Sequence, residues 1–113
     1  MKIGIFGLGY VGTVSAGCLA DLGHEIIGVD PLQAKVEMIN QGQSPIIEAD
    51  IGEIISRTAE AGRLSATDDA VEAVRKTDLS FICVDTPSQP NGNLDLRYIR
   101  RVCEQIGAVL RQK

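Results

Sequence analysis

The sequence predicts an α/β domain, a parallel sheet with helices on both faces. Two observations carry that expectation. Short apolar segments of strand character alternate with amphipathic helical segments along the whole chain. The first of the strands also runs directly into a glycine-rich turn that opens a helix. At 113 residues the length suits one domain, taken as residues 1–113. A domain of this size buries about two-thirds of its unfolded surface, enough for one core.

Lys2–Phe6 is rich in isoleucine and reads as a buried strand, followed by the turn Gly7–Gly12. Val11 to Leu22 then places Val11, Val14, Ser15, Cys18, Leu19 and Leu22 at helical spacing, with Gly23 as the stop. His24–Asp30 (HEIIGVD) is a second strand that ends on an acid, and His24 itself is expected on the surface at the helix–strand junction. Pro31 suits the first turn of a helix carrying Leu32, Val36 and Ile39 on one face, stopped at Asn40–Gly42. A further helix over 49–61 points Ile51, Ile54 and Ile55 inward. Arg63–Thr67 is a short third strand. Thr67 or Asp68 caps a brief helix through Ala70, Val71 and Val74. Leu79–Val84 (LSFICV) is a continuous apolar run, the pattern of a strand covered on both faces. Asp85–Asn93 holds two prolines and an Asn-Gly and reads as a loop. Asp95 is the expected cap of a last helix whose stripe is Leu96, Ile99, Val102, Cys103, Ile106, Val109 and Leu110. Right-handed crossovers give the strand order 3-2-1-4.

Composition excludes several classes. The net charge of −4 comes with no basic stripe, so nucleic acid is not an expected partner. No apolar stretch reaches the roughly 20 residues of a membrane helix. Three cysteines, Cys18, Cys83 and Cys103, form no CxxC pair, which fits neither a disulfide framework nor a zinc site and suits a reducing cytoplasm. All three are expected to be packing residues, since none has a basic neighbour to lower its pKa. The apolar N-terminus is not a secretory signal either, because Gly4, Gly7, Gly9, Gly12 and Gly17 would weaken its helix.

Those glycines serve another purpose. Gly7-Leu8-Gly9-Tyr10-Val11-Gly12 is GxGxxG between a strand and a helix. In that motif Gly7 allows the tight turn, Gly9 lets a pyrophosphate approach the backbone, and Gly12 lets the helix pack on the strand. The helix N-terminus offers free N–H groups and a positive dipole end to phosphates. Asp30 closes the second strand near the spacing of about 20 residues expected for a ribose-binding acid. A carboxylate there accepts from both ribose hydroxyls and repels a 2′-phosphate, which selects NAD over NADP; Lys35 nearby softens that preference. The sum is a Rossmann-like fold with NAD as its cofactor. Strands one and four flank the point where strand order reverses, so Thr86 after strand four is expected at the cofactor.

Five segments together carry a resemblance: FGLGYVG at Phe6–Gly12, GVD at Gly28–Asp30, SPI from Ser44, FICV.TPS at Phe81–Ser88 and NG.LDL.YI at Asn91–Ile99. Over essentially its whole length the chain resembles the UDP-glucose/GDP-mannose dehydrogenase family. The SPI and NG.LDL.YI segments resemble the GDP-mannose branch more than the UDP-glucose branch. The resemblance implies that Tyr10 and Val11 offer backbone to the pyrophosphate, that Asp30 and Lys35 hold the adenosine ribose, and that Thr86 lies near the reacting end. It implies an oxidoreductase that converts a nucleotide sugar's C6 alcohol to a carboxylate in two NAD-dependent steps, in the cytoplasm, as a homo-oligomer, supplying polysaccharide precursors. Two positions depart from the family pattern, Asp85 before Thr86 and Glu48-Ala49-Asp50 after the SPI segment. No role is carried over for Glu48.

The family's catalytic cysteine belongs to a GG.C.PKD-like motif that is absent from these 113 residues. The resemblance therefore implies the N-terminal NAD-binding portion of a longer enzyme, ending after the fourth strand and its following helix, with no catalytic residue of its own and no turnover alone. The nucleotide sugar would be bound by the rest of the parent, and Leu79–Val84 would become an apolar edge strand. A UDP-glucose 6-dehydrogenase and a freestanding dinucleotide-sensing module are the other readings.

Overall fold

The computed structural model describes residues 1–48, 50–83 and 97–112. Isoleucine-rich β1 (Lys2–Phe6) lies at the centre of the sheet. It pairs in parallel with β2 (Glu25–Val29) on one side and β4 (Leu79–Ile82) on the other, and β2 pairs in parallel with β3 (Leu64–Thr67). The order is β3-β2-β1-β4, as the alternation of elements predicts.

The period-2 alternation of β1 divides the core in two. Ile3 and Ile5 face a layer made by α1 (Tyr10–Asp21), α2 (Gln33–Asn40) and α3 (Ile51–Glu60), through Ala16, Ala20, Val36, Ile39, Ile51 and Ile55. Phe6 faces the opposite layer, α4 (Ala70–Lys76) and α5 (Arg97–Gln112), through Ala73, Val74, Val102, Ile106 and Val109. α3 closes tightly on α1, because a Cβ at Gly17 would stand 2.8 Å from Ile51 Cδ1. Arg57 of α3 also donates to Asp21 at the end of α1, at 2.7 Å.

Several expectations are corrected. α4 is capped by Asp69, whose carboxylate accepts the Glu72 N–H at 3.1 Å; Thr67 instead accepts the Asp69 N–H at 3.0 Å. Leu32, Val71, Cys103 and Leu110 are exposed, because each lies just beyond the stripe that meets the sheet. In α1 the inward face is not the expected one: Gly12, Thr13, Ala16, Gly17 and Ala20 are buried, while Val11 and Leu22 are exposed, because the small residues let the helix lie close to its neighbours. β4 is not covered on both faces: Leu79, Phe81 and Ile82 are 42%, 43% and 37% exposed, since the strand stands at the sheet edge among the described residues. Cys18 and Cys103 are exposed and only Cys83 is half-buried, so packing does not account for the first two. The expected loop Asp85–Asn93 and the cap Asp95 lie outside the described residues. No helix among those residues is long and apolar enough to cross a membrane.

Candidate functional site

The candidate site forms where β1 gives way to α1. Gly7 has φ 102°, in the left-handed region that favours glycine, and its N–H donates to Val29 O at 2.8 Å. The chain is thereby turned and fastened to the end of β2. Gly9 follows as the N-cap of α1 and brings no capping side chain. The first-turn N–H groups of Tyr10, Val11 and Gly12 have no intrahelical acceptor, and no acid lies in that turn. Such a terminus carries partial positive charge and suits a phosphate. Gly12 is fixed sterically, since a Cβ there would fall 1.7 Å from Gly7 O. Its role of close packing, read from the motif, thus has a direct structural basis.

Asp30 is buried, 8% exposed, immediately after β2. Its Oδ2 accepts the Leu8 N–H and its Oδ1 the Leu32 N–H, each at 2.9 Å. The acid therefore braces the glycine turn from below. Each carboxylate oxygen keeps a second lone pair, so the ribose-binding chemistry remains available. A Cβ at Gly28 would stand 2.8 Å from Leu8 Cδ2, so this glycine in β2 is what admits the buried Leu8 of the turn. The GLG and GVD segments are one packed unit.

Thr13 and Glu48 were not singled out as site residues by the sequence. Thr13 is fully buried and its hydroxyl donates to Leu8 O at 3.1 Å, which ties α1 back to the turn. Thr13 lies off the face that Val11, Val14, Ser15 and Cys18 mark in the sequence, so its burial becomes visible only in the fold. Tyr10 turns its phenol outward and donates to Glu48 Oε2 at 3.0 Å. That hydrogen bond, then the negative charge of Glu48 and a little burial, raises the phenol's pKa above its ordinary value. Val11 is exposed beside it, and Lys35 is half-buried on the first turn of α2. Thr86 and Asp85 lie outside the described residues. Cys83 follows β4, and burial pushes its thiol pKa up, away from nucleophile chemistry.

Beyond Asp30 a cavity of about 560 Å³ opens between the sheet and the α4–α5 layer, lined by Gly7, Val29, Pro31, Val71, Arg101 and Gln105 among others. A positive-φ turn, an uncapped helix start, a buried acid with spare lone pairs and an adjoining cavity fit a dinucleotide.

The family model described as the UDP-glucose/GDP-mannose dehydrogenase family, NAD binding domain, matches residues 1–113. The chain belongs to the UDP-glucose/GDP-mannose dehydrogenase family. It is 55% identical to a GDP-mannose 6-dehydrogenase of Azotobacter vinelandii, over 100% of this chain and 26% of that protein. It is 40% identical to a UDP-glucose 6-dehydrogenase of Rhizobium meliloti, over 97% of this chain and 25% of the relative. Its structure superposes with TM-score 0.98 and 54% identity on a crystallised ternary complex of GDP-mannose dehydrogenase from Pseudomonas aeruginosa, covering 100% of this chain and 26% of the other. The chain thus spans about a quarter of the length of these relatives. As a domain of this family, it takes NAD as its cofactor.

Proposed function

We propose that this chain is the cofactor-binding part of a nucleotide-sugar 6-dehydrogenase acting on GDP-mannose. In this reading the C6 alcohol is oxidised through the aldehyde level to the carboxylate, with water supplying the second oxygen and two NAD each taken to NADH. The nicotinamide of bound NAD supplies the hydride acceptor. The chain's own residues bind and orient. The Tyr10 and Val11 N–H groups meet the pyrophosphate, Gly7, Gly9 and Gly12 let it approach, Asp30 and Lys35 hold the adenosine ribose, and Thr86 stands near the reacting end. The observation that carries the reading is Asp30, a buried acid bonded to the very turn that would hold the phosphates. The identity to GDP-mannose 6-dehydrogenases, higher than that to the UDP-glucose enzyme, supports the choice of sugar nucleotide.

The reading includes a nucleotide sugar bound by further sequence of the parent protein, a homo-oligomer in the cytoplasm. The three free cysteines are compatible with a reducing compartment. Fluorescence titration with NADH and NADPH tests the cofactor half. Saturable NADH binding, weaker for NADPH and weakened by Asp30→Ala, is expected. Equal affinity for the two cofactors would overturn the role of Asp30. For the substrate half, the parent protein should reduce NAD with GDP-mannose and not with UDP-glucose. The reverse preference would assign the UDP-glucose activity, and binding without turnover on either sugar would favour a dinucleotide-sensing module.

A further inference from the structure

We propose that Arg101 of α5 is a cofactor-binding residue whose guanidinium covers the adenine base of NAD. The proposal rests on the reading of the glycine turn and Asp30 as the cofactor site. The cavity of about 560 Å³ beside Asp30 has a volume typical of small-molecule sites. Val29 and Pro31, the two neighbours of Asp30, line it at the sheet, so a ribose held by Asp30 would project its base into this space. Val71 of α4 adds an apolar wall, and Arg101 lines it from α5.

Arg101 is exposed and forms no ion pair among the described residues, although Asp68 and Asp69 line the same cavity. Asp69 is committed to capping α4 through the Glu72 N–H. The neighbouring α5 residue Val102 is buried in the core, which holds this turn of the helix against the sheet. A planar cation at the rim of a partly apolar cavity suits a neutral aromatic ring. Guanidinium stacks on such faces, and its planarity distinguishes it from lysine. The competing ligand for an arginine here is a 2′-phosphate. Asp30 argues against it, because the same position would place a carboxylate against that phosphate.

The test titrates the protein and its Arg101→Ala and Arg101→Lys variants with NADH, NADPH and ADP-ribose, with thermal unfolding as the check on folding. Arg101→Ala should weaken NADH and ADP-ribose alike, by about fivefold for a stacked cation, at an unchanged Tm. Arg101→Lys should stay weakened, because charge without the plane does not restore stacking. Unchanged NADH affinity in Arg101→Ala would overturn the proposal. So would full rescue by lysine, which would reduce the effect to charge, or a larger loss for NADPH than for NADH, which would assign the residue to the phosphate. Failure of the unsubstituted protein to bind NADH would instead overturn the cofactor-site reading, and the Arg101 assignment with it.

Discussion

Removing the Asp30 carboxylate takes acceptors from two backbone N–H groups at once. The Leu8 N–H is buried and has no water to turn to, whereas the Leu32 N–H is partly open to solvent. Asp30→Ala should therefore cost about 1–3 kcal/mol of stability through Leu8 alone, apart from any effect on cofactor. Asp30→Asn keeps one acceptor oxygen, so it should fall between the two in urea unfolding. It should also bring the NADPH and NADH affinities closer by removing the charge. Full stability in Asp30→Ala would show that the turn does not depend on the acid. The sequence announces this residue by its place after a strand and its distance from the glycines. It says nothing of the Leu8 contact, because an acid that braces a turn and an acid that binds a ribose have the same spacing. The Tyr10–Glu48 hydrogen bond was equally hidden, since it joins side chains on segments remote in sequence and both lie at the surface.

At the scale of elements, α1 carries two close glycine contacts that differ in what they meet. A Cβ at Gly12 would collide with the Gly7 carbonyl, a backbone atom inside the turn that cannot move without undoing it. A Cβ at Gly17 would meet the tip of Ile51, the end of a side chain that can change rotamer. Alanine also gains about 1 kcal/mol of helix propensity over glycine at either place. Gly17→Ala should thus stay within about 1 kcal/mol of the parent, the propensity gain offsetting slight overpacking, and keep its NADH affinity. Gly12→Ala should lose NADH binding. Calorimetry and NADH titration of both variants check the contrast, and retained binding in Gly12→Ala would refute the packing argument. The GxGxxG spacing made Gly12 legible as a packing residue. Gly17 was not, because its partner Ile51 sits on a different helix and only the crossing of α1 with α3 brings them together. Helix and strand identities were legible by period. Some errors fall at stripe margins such as Leu32, Val71 and Leu110, where a shift of one residue turns a side chain from sheet to solvent. In α1 the whole face was misplaced, because the small residues Gly12, Thr13, Ala16, Gly17 and Ala20 are the buried ones and Val11, Cys18 and Leu22 are exposed.

For the whole molecule, β1 lies centrally because successive right-handed crossovers first build outward to β3 and then return past β1 to place β4. That much follows from the alternation of elements. The order 3-2-1-4 also puts β4 at the edge of a four-stranded sheet, as expected. The apolar run of β4 by itself suggested a covered strand instead, since LSFI is equally apolar in either place. In this structure one side of β4 is unpaired among the described residues, and Phe81 with Val14 and Leu19 lines an open apolar groove of about 360 Å³ next to it. An exposed strand of this kind is a template for pairing with another chain, and a charged side chain on the edge opposes it. The 113-residue chain should therefore self-associate with rising concentration, and Phe81→Lys should shift it toward the monomer while leaving thermal unfolding little changed, because Phe81 is already 43% exposed. Sedimentation equilibrium over a hundredfold range of loading concentration reads both effects. A monomer at every concentration would show that the twist of the edge or the charges around it already protect it, and an association that Phe81→Lys leaves intact would move the contact surface away from β4.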